Sequence, residues 1–135
     1  MFLDLHAHSK KMNVFAYGCH DTSDPFSSRE FPFLLSKLSR QDFLFQECRF
    51  TRLVDPRQSN YQKKSAKDGT ARVFLYDSLR IPNIFTIENS YCAAKDSAYH
   101  YDRHSYGVIG SDILTAISLY FSPNFKEEWN GEKCE

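Results

Sequence analysis

The chain has 135 residues, 41% of them hydrophobic, with Phe 12 and Tyr 8, which fits one small domain with a modest core and excludes disorder. Seventeen basic side chains balance seventeen acidic ones, so no global field draws the chain to nucleic acid or to a membrane surface. No run approaches the roughly 18 apolar residues needed to span a bilayer, and no basic region leads into an apolar one as in a signal peptide; a cytoplasmic protein is expected.

Phe2, Leu3 and Leu5 form a short apolar strand that ends in His6 and His8. A strand end is a good place for a metal ligand, because the sheet fixes the imidazole while the following loop leaves room for substrate. The plain alternative is a core strand carrying ordinary solvent-facing histidines. A polar loop, Ala7 to Asn13, leads to a second apolar element, Val14 to Tyr17, stopped by Gly18. A strand that begins at the second residue is expected to belong to the later part of a larger domain. Cys19 to Pro25 is rich in turn formers and reads as a loop.

Glu30 to Arg40 places Phe31, Leu34, Leu35 and Leu38 at helical spacing, with Pro32 expected in the first turn. Phe43-Leu44-Phe45 reads as a short strand leading to Cys48 and Phe50. Residues 51 to 70 turn basic with Arg52, Arg57, Lys63, Lys64 and Lys67, either a solvated loop or the lining of a site for an acidic substrate. Thr70 is placed to cap a helix from Ala71 to Leu79 whose buried stripe is expected to be Val73, Phe74, Leu75 and Leu79. Arg80 to Asn83 breaks it at Pro82. Ile84 to Ile87 is then a strand, and Glu88 stands at its end, where a carboxylate is costly unless solvated, paired or used.

Tyr91 to His104 reads as a loop, and Gly107 to Phe121 as an amphipathic helix stopped at Ser122-Pro123. Strands alternating with helices give an α/β fold, a mixed β-sheet flanked by helices over residues 1–122, with a charged, frayed tail over 123–135. Cys19, Cys48, Cys92 and Cys134 are widely spaced, with no C-x-x-C pair, so free thiols in a reducing compartment are expected.

Three segments in order carry a resemblance. They are Asp4-Leu5-His6-Ala7-His8-Ser9-Lys10-Lys11 with Asn13-Val14-Phe15 and Tyr17-Gly18-Cys19; Gly69-Thr70-Ala71-Arg72-Val73; and Ile81-Pro82-Asn83 with Phe85-Thr86-Ile87-Glu88-Asn89-Ser90 and Cys92. Together they resemble the zinc metallocarboxypeptidases, specifically the cytosolic carboxypeptidase subgroup of tubulin deglutamylase-like enzymes. The resemblance implies the C-terminal part of a carboxypeptidase catalytic domain, with His6 as a zinc ligand and Glu88 as the general base. That division of labour is chemically sound: a metal acidifies a water and polarises the scissile carbonyl, and a carboxylate takes the water's proton. His8, Tyr17 and Arg72 lie in the same motifs and are candidates for substrate binding. Their alternatives are a loop histidine, a core aromatic and a helix-surface arginine.

The implied substrates are peptide or protein C-terminal tails, glutamate-rich ones such as that of tubulin among them. The family also holds its zinc through an upstream His-x-x-Glu pair, and no His of this chain has Glu three residues on: His6 meets Ser9, His8 Lys11, His20 Ser23, His100 Arg103 and His104 Gly107. The upstream arginine that grips the substrate carboxylate is absent for the same reason. The expectation is a truncated chain, inactive by itself.

Two rivals stay open. Asp-x-His-x-His also opens amidohydrolase-type and polymerase-histidinol-phosphatase-type metal hydrolases, barrels in which His6 and His8 would both be ligands and further ligands come from later strands, whereas the remaining His20, His100 and His104 are expected in loops. Alternatively the chain is a non-catalytic pseudoenzyme that binds acidic tails through Lys10, Lys11 and Lys63.

Overall fold

A computed structural model of the chain describes residues 1–20, 24, 26–52, 70–95, 97 and 100–125. Four strands, β1 (Phe2–His8), β2 (Val14–His20), β3 (Arg49–Arg52) and β4 (Ile84–Ser90), alternate with helices α1 (Ser27–Leu38), α2 (Ala71–Leu79) and α3 (Arg103–Tyr120). The sheet is mixed and ordered β1-β4-β2-β3. β1 runs parallel to β4, β4 antiparallel to β2, and β2 parallel to β3. The expected α/β class, a mixed sheet flanked by helices, is what the chain forms.

Strand alternation gives the sheet two unlike faces. Leu3, Phe85, Ile87 and Ala16 face α1 and α3, where Phe31 stacks on Phe85 with ring centroids 5.5 Å apart. Ile109, Ile113 and Ala116 of α3 and Leu34 and Leu35 of α1 complete this core. Burying a side chain of that size contributes roughly 1.5–3 kcal/mol each, which is what fixes the register. On the other face α2 packs Val73 and Tyr76 against Cys19 and Ile84. Gly18 is required where β2 crosses Phe50, since a Cβ there would lie 2.8 Å from the Phe50 ring.

Several elements differ from their sequence expectations. β2 runs through Gly18 to His20 because β3 and β4 pair on either side of it. Strand β3 lies at Arg49–Arg52, whereas Phe43 makes one isolated bridge to Val14 and Phe45–Glu47 is a 3₁₀ turn. α1 starts at Ser27, and so Pro32 sits inside the helix and not in its first turn. In α2 the buried residues are Arg72, Val73 and Tyr76, while Phe74 and Leu79 are exposed; Thr70 occupies the N-cap position without a side-chain capping bond. α3 starts at Arg103, because Asp102 and Ser105 form a capping box that reaches into the expected loop. His20 is therefore a strand residue and His104 a helix residue.

The basic stretch from 53 to 69, Cys134 and the tail from 126 onward lie outside the described residues. Cys19, Cys48 and Cys92 are free, and Phe125 is buried against Tyr120.

Burial pushes the Cys48 thiol up to about 12, partly offset by the Ala16 amide that donates to its Sγ. The folded state thus favours the neutral thiol, a contribution fully present below the ordinary thiol range and lost as pH rises through it. Between about pH 9 and 11 only the unfolded chain ionises at this group, so stability is expected to fall with pH by up to roughly 1.4 kcal/mol per unit from this residue. Urea denaturation across that window checks it, and Cys48→Val should flatten the slope.

Candidate functional site

Parallel pairing of β1 with β4 places His6 directly opposite Glu88. Antiparallel pairing of β4 with β2 places Glu88 opposite Phe15. Opposed residues share a face, and neighbouring strands are about 4.8 Å apart, so His6 and Glu88 form one rung on the α2 side of the sheet. The rung before it is Asp4, Thr86 and Tyr17, and the rung after it carries His8 and Ser90. Because α2 covers the sheet at Cys19 and Ile84, the His6–Glu88 rung lies beyond its reach, near the carboxyl ends of both strands. That edge is where open α/β sheets bind ligands.

His6 is half-exposed, and its Nε2 lies 3.0 Å from Oδ2 of Asp4, two residues back on the same face. Glu88 is partly buried and has no ion-pair partner among the described residues. His8 is used differently: its Nδ1 accepts hydrogen bonds from the backbone amides of Lys10 (3.0 Å) and Lys11 (3.1 Å), and its ring edges onto Phe15. His8 thereby fixes the loop leaving β1.

Arg72 is a buried residue of α2 and not the surface arginine of the plain alternative. Its Nη1 donates to the Gly18 carbonyl at 2.8 Å, and its guanidinium carbon stands 5.8 Å from the Tyr17 ring centroid. It also lies 3.6 Å from Cys19 Sγ, whose thiol burial pushes up while the Arg72 charge pulls it back. Tyr17 is half-buried between this guanidinium and Phe15, 5.6 Å away ring to ring. All five sequence candidates therefore lie on one side of the sheet.

Along the rim, Lys11 pairs with Glu47 at 3.0 Å and stands over the Phe15 ring at 4.7 Å. The Lys11 ammonium holds the exposed Glu47 carboxyl below its usual range.

A catalytic zinc takes about three protein donors. Among the described residues no group of three or more His, Cys, Asp or Glu stands close enough to hold a metal ion. His6 and Glu88 have the donor chemistry for one ligand and a facing carboxylate, and they do not make up a whole site. The barrel reading, with His6 and His8 as equal ligands, also meets a sheet whose β2–β4 pair is antiparallel and a His8 Nδ1 already occupied. Sequence reasoning gave Asp4 no role beyond its place in the motif. Its signal was the i, i+2 spacing to His6, which puts both side chains on one strand face. Asn13 was likewise read only as a motif residue, although it ties three loops behind the site.

These features define an α/β sheet protein with a histidine–glutamate rung at its carboxyl edge. No family model matches the chain. It is 39% identical over 132 residues to cytosolic carboxypeptidase 3 of Bos taurus and 36% identical over 133 residues to that of Mus musculus, in both cases over 92% of this chain. It is 33% identical over 132 residues to cytosolic carboxypeptidase 2 of Xenopus tropicalis, again over 92% of the chain. This stretch belongs to the cytosolic carboxypeptidase family. The chain spans 12% of the length of each of these three relatives.

Proposed function

We propose that this stretch is part of the catalytic domain of a zinc-dependent carboxypeptidase that removes C-terminal residues, glutamates among them, from peptide or protein tails in the cytoplasm. The observation that carries the reading is the His6–Glu88 rung, which brings an imidazole and a carboxylate to one sheet edge from distant parts of the sequence. In this reading Glu88 takes the proton of an attacking water, and His6 is the ligand this stretch supplies to a zinc whose other ligands come from elsewhere. Tyr17 lies one rung back with the buried Arg72 guanidinium beside its ring, and in this reading the pair lends positive charge to the floor beneath an acidic side chain such as that of a glutamate-rich tubulin-like tail. Alone, the 135 residues are expected to bind zinc weakly and to be inactive.

The experiment is a chimera in which this stretch replaces the matching 132 residues of the bovine relative. The chimera should release glutamate from a glutamate-ended peptide, and Glu88→Gln should lower kcat by roughly 10²–10⁴-fold. His6→Ala should lower bound zinc below one equivalent. Full activity in Glu88→Gln would overturn the assignment. The incomplete donor set favours one competitor, a non-catalytic module that binds acidic tails. It requires that the chain alone hold a glutamate peptide in metal-free buffer, and absence of binding there removes it.

A further inference from the structure

We propose that Lys11 is a seat for a carboxylate of the substrate tail, and that Glu47 occupies this seat as an internal stand-in until the tail displaces it. This deepens the carboxypeptidase reading and rests on it for which tail is bound. Strand register sets the place. Phe15 lies opposite Glu88 on the flank away from His6, and the Lys11 ammonium stands 4.7 Å over the Phe15 ring. Lys11 is therefore next to the rung without belonging to it.

The loop holds Lys11 at that spot. Its backbone amide donates to His8 Nδ1 at 3.1 Å, and Asn13, two residues on, is tied to Gln41, Ser90, Ala93 and Lys95. A lysine on a braced backbone, with its charge over an aromatic ring, keeps its ammonium near one position. What that ammonium binds is a carboxylate, Glu47 Oε2 at 3.0 Å, brought in by the 3₁₀ turn before β3. Both side chains are more than a third exposed, and exposed pairs of this kind are weak, so another carboxylate can replace Glu47 at small cost. The surroundings favour the exchange. Arg49 and Lys95 add positive charge around Glu47, and the Arg49 guanidinium donates to the Gln46 and Cys48 carbonyls, which are neutral. The terminal residue of a tail then lies over the buried floor at Arg72, and the glutamate before it meets Lys11 at the exposed rim.

The test uses the chimera with the bovine relative, peptides ending in Glu-Glu or Gln-Glu, and the variants Lys11→Met and Glu47→Gln. The parent chimera should favour the Glu-Glu peptide in kcat/KM, and added salt should narrow that preference. Lys11→Met should raise KM for Glu-Glu by roughly 2–5-fold and erase the preference, while Glu47→Gln should lower the same KM by a similar factor. A purely structural ion pair would suffer alike from loss of either partner, so the opposite directions are what identify a seat and its stand-in. Circular dichroism checks that both variants fold. Shifts in the same direction, or an intact preference in Lys11→Met, would overturn the proposal. Fluorescence anisotropy of the labelled Glu-Glu peptide with the zinc-free chimera reads the seat without turnover. Opposite shifts in Kd there, with no glutamate released once zinc is restored, would uphold the Lys11 seat and count against the carboxypeptidase reading.

Discussion

Asn13→Ala is expected to lower stability by about 3–5 kcal/mol, measured as a shift in urea midpoint at unchanged slope. Asn13 is 1% exposed and sits at φ 65°, in the left-handed region that Asn tolerates better than Ala. All four of its polar groups are used. Its amide donates to Ala93, its carbonyl accepts from Ser90, its Nδ2 donates to Gln41 at 3.1 Å, and its Oδ1 accepts from the Lys95 amide at 2.7 Å. Alanine removes the last two, leaving a carbonyl and an amide without partners at roughly 1–3 kcal/mol each, and adds backbone strain of about 1 kcal/mol. Asn13→Gly should recover the strain and none of the hydrogen bonds, landing between the two. An Ala variant as stable as the parent would mean that these loops do not depend on Asn13.

Phe85→Ala is expected to cost about 3–5 kcal/mol, enough to unfold much of the population of a domain of ordinary stability. Phe85 is fully buried in the central strand β4, stacked on Phe31 and lying beside Gly18. Truncation opens a cavity between strands on one side and α1 on the other, and a central strand cannot collapse to fill it. Phe85→Leu should cost less than half as much. Because Phe85 and Glu88 share β4, loss of the rung should follow loss of fold in the alanine variant, and circular dichroism with denaturant checks the order.

The strands β1 and β4 were legible because each is a compact apolar run ending in a polar residue with an evident chemical use. The pairing of His6 with Glu88 was legible only as two strand ends meeting at one edge. Their exact opposition depends on register, which parallel strands set through core packing at Phe85 and Ile87. β3 was missed because Arg49 to Arg52 is too polar to read as a strand, and its place comes from backbone pairing to β2. The start of α3 was missed because its signal, Asp102 with Ser105, is a cap and carries no hydrophobic period. Whether Arg72 is a site residue or a surface arginine is open in the sequence, because its burial rests on a backbone carbonyl partner, Gly18, more than fifty positions away. Tertiary partners of that kind leave no local trace.

The parallel pairing of β1 with β4 also sets an order of assembly. Among the described residues β1 pairs with β4 alone, and that strand begins about eighty residues later in the chain. At synthesis rates of about 5–20 residues per second, the first strand waits roughly 4–16 s for its mate. β2 lies nearer in sequence to both of its partners, so its waits for β3 and for β4 are shorter. The insertion of β4 between β1 and β2 is then a single late event that closes the sheet and creates the His6–Glu88 rung at once. Contacts of such long sequence separation fold slowly and leave an apolar strand exposed meanwhile. Chemistry at this edge is therefore acquired in one step, by folded molecules alone, and a chain stalled before Ile84 carries the histidine without its carboxylate.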